Sequence, residues 1–241
     1  FKHVLIIPDN RIFPISWILP VDFNCYPGFE ISNQLLLPGP RLLKNLQEML
    51  MSIVAVLLLF PVLAVLALAV KLTSRGPIFY RATRLGRNGK PIQVYKFRTM
   101  YTDADANLER MLAENPRLQR EWERKFKLDN DPRITGLGRF LRRTSLDELP
   151  QLWNVIKGDM ALIGPRPIVE QERCYYRQQY DVFKRVKPGV TGLWQVTGRS
   201  DTSYATRILL DMFYIMNWSP WLDYFILLKT VKEVLQGRGA R

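Results

Sequence analysis

The 241-residue chain has almost no histidine, and the single one is His3, close to the first residue. That scarcity argues against a Ser–His–Asp triad, a His-rich zinc site and an HExxH metalloprotease, each of which needs well-placed imidazoles. Cysteine is nearly as rare: Cys25 and Cys174 are too few for a disulfide scaffold, and their number fits a reducing compartment. There is no GxxxxGK[ST] phosphate loop, internal repeat or low-complexity tract, and Gly136-Leu137-Gly138 is too short a fragment to count as one. Acid is in deficit as well, with 22 Asp+Glu against 35 Lys+Arg and a formal net charge of +13. At 24% charged and 47% hydrophobic residues, the chain is neither disordered nor collagen-like. A mean hydropathy of −0.10 excludes a polytopic membrane protein. What is left is a basic chain long enough for one or two domains. It is expected to attract anions: nucleic acid, an anionic membrane or a phosphorylated substrate.

One stretch departs from this polar background. Residues 49–70, MLMSIVAVLLLFPVLAVLALAV, carry no charge. As a helix at ~1.5 Å per residue they would extend ~33 Å, enough to cross a hydrocarbon layer of ~30 Å. Fourteen of them are Leu, Ile, Val or Phe, which contribute ~7 kcal/mol toward the bilayer at ~0.5 kcal/mol each. Pro61 sits in the middle, where it removes a helical hydrogen bond and predicts a bend. Cations flank both ends: Arg41 and Lys44 before, Lys71, Arg75, Arg81 and Arg84 after. Both ends therefore prefer the cytoplasmic side. A hairpin that enters and leaves by one leaflet satisfies the proline and the charges; a kinked ordinary span is the alternative.

Elsewhere the pattern predicts short elements. Val4–Ile7 reads as a strand, and the proline-punctuated residues up to 40 read as the end of a preceding domain in a longer protein. Residues 76–100 read as two strands around the turn Gly86-Arg87-Asn88-Gly89. Two surface helices are expected within the charged segment 103–130, and further helices at about 148–157, 167–180 and 201–215. Trp218–Leu235 mixes aromatics, an apolar stripe and Lys229 and Lys232. This is the composition of a helix at a membrane interface, or of an amphipathic core helix.

The stretch richest in chemistry is Arg142-Arg143-Thr144-Ser145-Leu146-Asp147-Glu148-Leu149-Pro150. Ser145-x-x-Glu148 matches a capping box, while Pro150 argues for a helix start nearer Asp147. Either way the two carboxylates fall in a first turn, where the helix dipole and the arginines favour the ionised form. Capping is one role for them. The other is catalytic: an ionised Asp among cations is a nucleophile toward phosphorus, and a neighbouring carboxylate suits Mg²⁺. Pro165-Arg166-Pro167 stiffens an arginine for a bidentate phosphate contact. Lys96 and Arg98 alternate along a strand and are expected on one face. Arg199 follows a Pro/Gly turn cluster, and Asp159 sits in a Gly-Asp-Met turn. The D-x-D pairs Asp103/Asp105 and Asp129/Asp131 read as chance in so charged a region.

These motifs together resemble the bacterial sugar transferases, the monotopic polyprenyl-phosphate phosphoglycosyl transferases. The likeness is carried by YKFRTM (95–100), DPRITGLGRFLRRTSLDELPQLWNVIKGDMALIGPRP (131–167), KPGVTGLWQVTGRS (187–200) and the apolar segment with its central proline, over roughly residues 41 to 236. The charged insert points to the large branch of the family. Where the family often has Ser before the bending proline, this chain has Phe60. The resemblance implies an α/β fold: a compact, mainly helical catalytic domain with a small sheet, a re-entrant membrane hairpin helix and amphipathic interfacial helices. By the same token residues 1–40 are the remnant of an upstream domain, 41–75 the hairpin and 76–241 the catalytic domain. It implies transfer of hexose 1-phosphate from a UDP-hexose to undecaprenyl phosphate, the first membrane step of O-antigen, capsule or exopolysaccharide synthesis. Asp147 would be the nucleophile, and Asp147 with Glu148 would hold Mg²⁺. Lys96, Arg98, Arg143, Arg166, Arg199 and Asp159 would bind substrate. A homodimer on the cytoplasmic face of the bacterial inner membrane, in contact with lipid and without nucleic acid, completes the expectation. The rival reading is a non-catalytic basic protein binding anionic lipid or nucleic acid.

Overall fold

The computed structural model describes residues 18–23, 26–31, 33–102, 131–197 and 202–236, with scattered positions between 104 and 128. The strand expected at 4–7 and most of the segment 103–130 lie outside the described residues. Strands β1 (Ile18–Phe23) and β2 (Tyr26–Ile31) pair antiparallel. A 36-residue helix follows, α1 (Pro38–Thr73), which contains the whole apolar segment. Helical structure continues on both sides of Pro61. Its most apolar window is only 11% buried, and Leu57, Leu58, Phe60, Val65 and Leu68 are exposed along it.

Strands β3 (Phe79–Leu85) and β4 (Pro91–Phe97) form the antiparallel hairpin expected from the glycine-rich turn, with Asn88 and Gly89 at positive φ in the connection. Ala82 and Leu85 are buried on one strand and Val94 and Phe97 on the other, three residues apart in each case, so each strand buries a side chain on both faces. Helix α2 (Gly136–Thr144) is capped by the Thr135 hydroxyl, which accepts from the Gly138 amide at 2.9 Å. Gly138 is required there: a Cβ would stand 2.1 Å from the Thr99 carbonyl oxygen. Helix α3 (Gln151–Lys157) then leads to β5 (Ala161–Ile163), which pairs parallel with β6 (Gly189–Thr191). That pairing too depends on a glycine, because a Cβ on Gly189 would meet the Gly164 backbone at 2.1 Å.

The helix expected at 167–180 is instead broken into short pieces, including α4 (Arg173–Tyr176) and α5 (Tyr180–Phe183). Arg177 stands between them at φ 46°, ψ −127°, a conformation no helix continues through. The last three helices are α6 (Leu193–Thr197), α7 (Tyr204–Met216) and α8 (Pro220–Gln236). Helices α7 and α8 start within three residues of expectation. The main core gathers Met160, Ile163, Tyr214, Ile215 and Ile226; a smaller one joins Leu66 and Val70 of α1 to Phe97 and Leu141.

A buried charge network fixes the N-terminal part of α1. Lys44 donates to Glu48 and to Asp223 of α8, both at 2.6 Å. Glu48 in turn accepts from the Ile163 amide of β5 at 3.0 Å. Asp223 also accepts from the Tyr214 hydroxyl at 2.7 Å and the Trp218 indole at 2.8 Å. Both ends of α1 are thus docked on the same body, one through charge and the other through the smaller core.

Candidate active site

Ser145 ends α2 in the left-handed conformation, φ 57°, and throws the chain into a single 3-10 turn, Leu146–Glu148. Its side chain caps nothing, so the capping box suggested by Ser145-x-x-Glu148 does not form. A non-glycine residue held there costs of order 1 kcal/mol, and the turn it creates places Asp147 inward and Glu148 toward β4. Lys96 of β4 donates to Glu148 Oε1 at 2.5 Å. The strand is held in register with this turn by Asn154, which is fully buried in α3. Asn154 Oδ1 accepts from the Tyr95 amide at 3.1 Å and Nδ2 donates to the Gln93 carbonyl at 2.7 Å. On the opposite flank Arg142 donates through Nε to the Thr99 hydroxyl at 2.9 Å, and its charge acts on Asp147.

Asp147 is buried, and this changes its chemistry. Desolvation pushes its carboxyl up from 3.8 to about 6; the Glu148 charge adds to the rise, while Lys96 and Arg142 oppose it. The expectation that dipole and arginines hold it below the usual range is therefore corrected: burial outweighs them. At pH 7 the group is still mostly ionised, and its charge is poorly solvated, which favours attack. The active form is the carboxylate, so in the metal-free protein the active fraction is present above about pH 6 and falls toward tenfold per unit below it, and a bound divalent cation moves this limb to lower pH. We expect an acid limb in a donor-only half-reaction, where the acceptor phosphate, itself titrating near ~6, is left out. A rate that does not fall at acid pH contradicts the assignment.

The remaining residues marked in the sequence are dispersed. Arg98 does not join Lys96: it is buried and reaches the end of α1, donating to the Ser74 carbonyl at 2.6 Å and hydroxyl at 2.8 Å. Its Nε and Nη1 have no hydrogen-bond partner among the described residues. Arg143 is exposed on α2, and Arg166 is exposed on its turn, over the Trp194 ring. Asp159 pairs with Lys157 at 3.0 Å. Arg199, Asp103, Asp105 and Asp129 lie outside the described residues. Asp131, set aside as chance, is buried and held by Arg133 at 2.6 Å, with its charge on Arg142. Arg142 is the site residue that sequence reasoning passed over in favour of its neighbour; only the facing of the last turn of α2 separates the two.

The residues here fit a hard divalent cation. Two adjacent carboxylates offer oxygen donors, and Glu148 spends only Oε1 on Lys96. Magnesium is characteristically held by one or two carboxylates together with substrate phosphates and water.

A sheet-and-helix body is docked at both ends of a lipid-length helix, and on that body an acid pair stands among cations. The bacterial sugar transferase family matches residues 39–237, and the chain belongs to that family. It is 47% identical over 99% of its length to undecaprenyl-phosphate galactose phosphotransferase of Salmonella typhimurium, covering 50% of that protein. It is 40% identical over 98% of its length to UDP-glucose:undecaprenyl-phosphate glucose-1-phosphate transferase of Escherichia coli, again covering 50%. Exopolysaccharide production protein ExoY of Rhizobium meliloti is 44% identical over 80% of the chain and is covered to 85%. The chain thus spans about half the length of the first two relatives and most of the third.

Proposed function

We propose that the chain transfers hexose 1-phosphate from a UDP-hexose to undecaprenyl phosphate through a covalent intermediate on Asp147. The observation that carries this reading is a buried carboxylate, titrating near 6, between Lys96, Glu148 and Arg142. A carboxylate oxygen of Asp147 attacks the sugar-proximal phosphorus. The bond from that phosphorus to the bridging oxygen breaks, and UMP leaves with the electron pair. A phosphate oxygen of the lipid then attacks the same phosphorus, the Asp147–phosphorus bond breaks, and the carboxylate is regenerated. The covalent relay lets two mutually repelling polyanions meet the cationic site in turn. Lys96 and Arg142 neutralise charge as each bond forms. Asp147 and Glu148 are the pair to hold Mg²⁺, which when bound supplies charge neutralisation at the phosphoryl oxygens.

The same reading places the reaction on the cytoplasmic face of the bacterial inner membrane, with α1 re-entering the leaflet it leaves. Support comes from the docking of both ends of α1 on one body and from the cations at both flanks. Support comes also from an exposed stripe on α8, Trp221, Phe225, Leu228 and Val231, suited to the interface. Phosphosugar transfer to the lipid carrier would begin assembly of a surface polysaccharide. The test is incubation with UDP-hexose alone: release of UMP up to one equivalent of enzyme is expected, and release only when undecaprenyl phosphate is added contradicts the covalent route.

A further inference from the structure

Four cations line one recess beside the N-terminal part of α1, and no acid lines it among the described residues. Arg41, Lys44 and Asn45 come from α1, Arg87 from the turn between β3 and β4, and Lys187 from the segment leading into β6. Lys96, Arg142 and Glu148, which surround Asp147, are not part of its wall. Lys44 is spent on Glu48 and Asp223. The other three are half-buried and form no ion pair among the described residues. Arg87 is anchored where it stands: its Nε donates to the Arg185 carbonyl at 3.0 Å, which leaves its terminal nitrogens, and the Asn88 amide donates to the Lys184 carbonyl.

These cations feel one another. Burial lowers the Arg87 guanidinium from its ordinary value, and the Arg41 charge lowers it further. Burial also lowers the Lys187 ammonium, as do Arg87 and Arg41, against Glu48 and Asp159, which raise it. Both of those acids are already committed, Glu48 to Lys44 and the Ile163 amide, Asp159 to Lys157. An anion held among the three cations relieves their repulsion, and two guanidinium forks with an ammonium suit the oxygens of a phosphate group.

The place of the recess along α1 says which phosphates reach it. Leu42, Leu43 and Leu46 are exposed, so the apolar surface of the helix runs from the uncharged segment up to the turn that carries Arg41. Tyr224 of α8 is bonded to Gln47 on this part of the helix, and the exposed Trp221 ring lies 6.1 Å from the Tyr224 ring. Aromatic side chains of this kind lie at the level of the lipid headgroups.

We propose that Arg41, Arg87 and Lys187 form a phosphate-group site, separate from the reaction site, that holds a phospholipid headgroup or a free phosphate between α1 and the β3–β4 turn. The test follows the melting temperature of the full chain in neutral detergent against dihexanoyl phosphatidylglycerol, dihexanoyl phosphatidylcholine and sodium phosphate, at fixed ionic strength. A saturable rise with phosphatidylglycerol and not with phosphatidylcholine is expected. A saturable rise with inorganic phosphate as well assigns the site to the phosphate group wherever it is carried. Arg41→Gln and Arg87→Gln are each expected to weaken the saturating probe about tenfold. The Arg41 side chain makes no hydrogen bond among the described residues, so that variant decides if Arg87→Gln does not fold. Arg185→Gln removes one exposed charge outside the recess and is expected to bind within twofold of the unsubstituted chain. Release of UMP from donor alone is expected to be unchanged in Arg41→Gln; a fall that matches the loss of binding places the phosphate in the reaction and overturns the separate site. Failure of the unsubstituted chain to bind either phosphate probe, binding by Arg41→Gln within twofold of it, or equal weakening by all three variants also overturns it.

Discussion

Asp147→Asn abolishes phosphosugar transfer, lowering turnover about 10³-fold or more, while the protein still folds and associates with membrane. The magnitude is that of removing a covalent nucleophile, whose loss the rest of a site cannot replace. The direction of the stability change distinguishes a catalytic carboxylate from a structural one. Asp147 has its folded pKa raised from 3.8 to about 6, so the folded state binds the proton more tightly than the unfolded state. Its contribution is most favourable below about pH 4 and is lost as the pH rises through 6, amounting to up to about 3 kcal/mol at pH 7. Asn carries no charge to desolvate. The variant should therefore melt no lower than the unsubstituted chain at pH 7, with any advantage shrinking toward pH 4. A variant that keeps its activity refutes the nucleophile; one that melts several degrees lower at pH 7 refutes the desolvated carboxylate.

Lys44→Met has the opposite profile, a large loss of stability at a residue outside the chemistry. Lys44 is buried and joins Glu48 to Asp223 at 2.6 Å each, and its removal leaves the buried Glu48 carboxyl facing the half-buried carboxylate of Asp223. Breaking such a pair costs about 3–5 kcal/mol, a fall in melting temperature of roughly 10 °C for a chain of this size. Activity should fall with it, because the network seats the N-terminal part of α1 on β5 and α8. Gln47→Ala is the control, since Gln47 makes an exposed hydrogen bond to Tyr224 at 2.7 Å; its loss should cost about 1 kcal/mol or less. Equal melting of the two variants would show that the network does not anchor the helix.

Much of the fold could be read from local signals. The hairpin β3–β4 followed from the glycine-rich turn, α1 from an uncharged run of lipid length, and α7 and α8 from apolar periodicity. The broken helix around 167–180 did not, because the strained backbone at Arg177 is imposed by packing and no Pro or Gly marks it. The carboxylate pair at 147 and 148 was visible as two acids beside two arginines, but its state was not. Whether Asp147 is ionised easily or reluctantly depends on burial, which depends in turn on β4 reaching it from 51 residues earlier. Position 142 was passed over for the same reason. Adjacent arginines on a helix differ only in the direction they face, and the Thr99 hydroxyl that receives Arg142 lies on another segment. Asp131, whose D-x-D spacing reads as chance, is buried against Arg133, a pairing that composition does not announce.

The central claim is a phosphorus–oxygen bond on one side chain, and peptide mapping tests it directly. The enzyme is incubated with UDP-hexose in the absence of lipid acceptor, quenched in acid, digested and analysed by mass spectrometry. A hexose-phosphate adduct is expected on the peptide containing Asp147, absent from Asp147→Asn and discharged by undecaprenyl phosphate. An adduct on another side chain, or UMP release with no adduct at any stage, would contradict it.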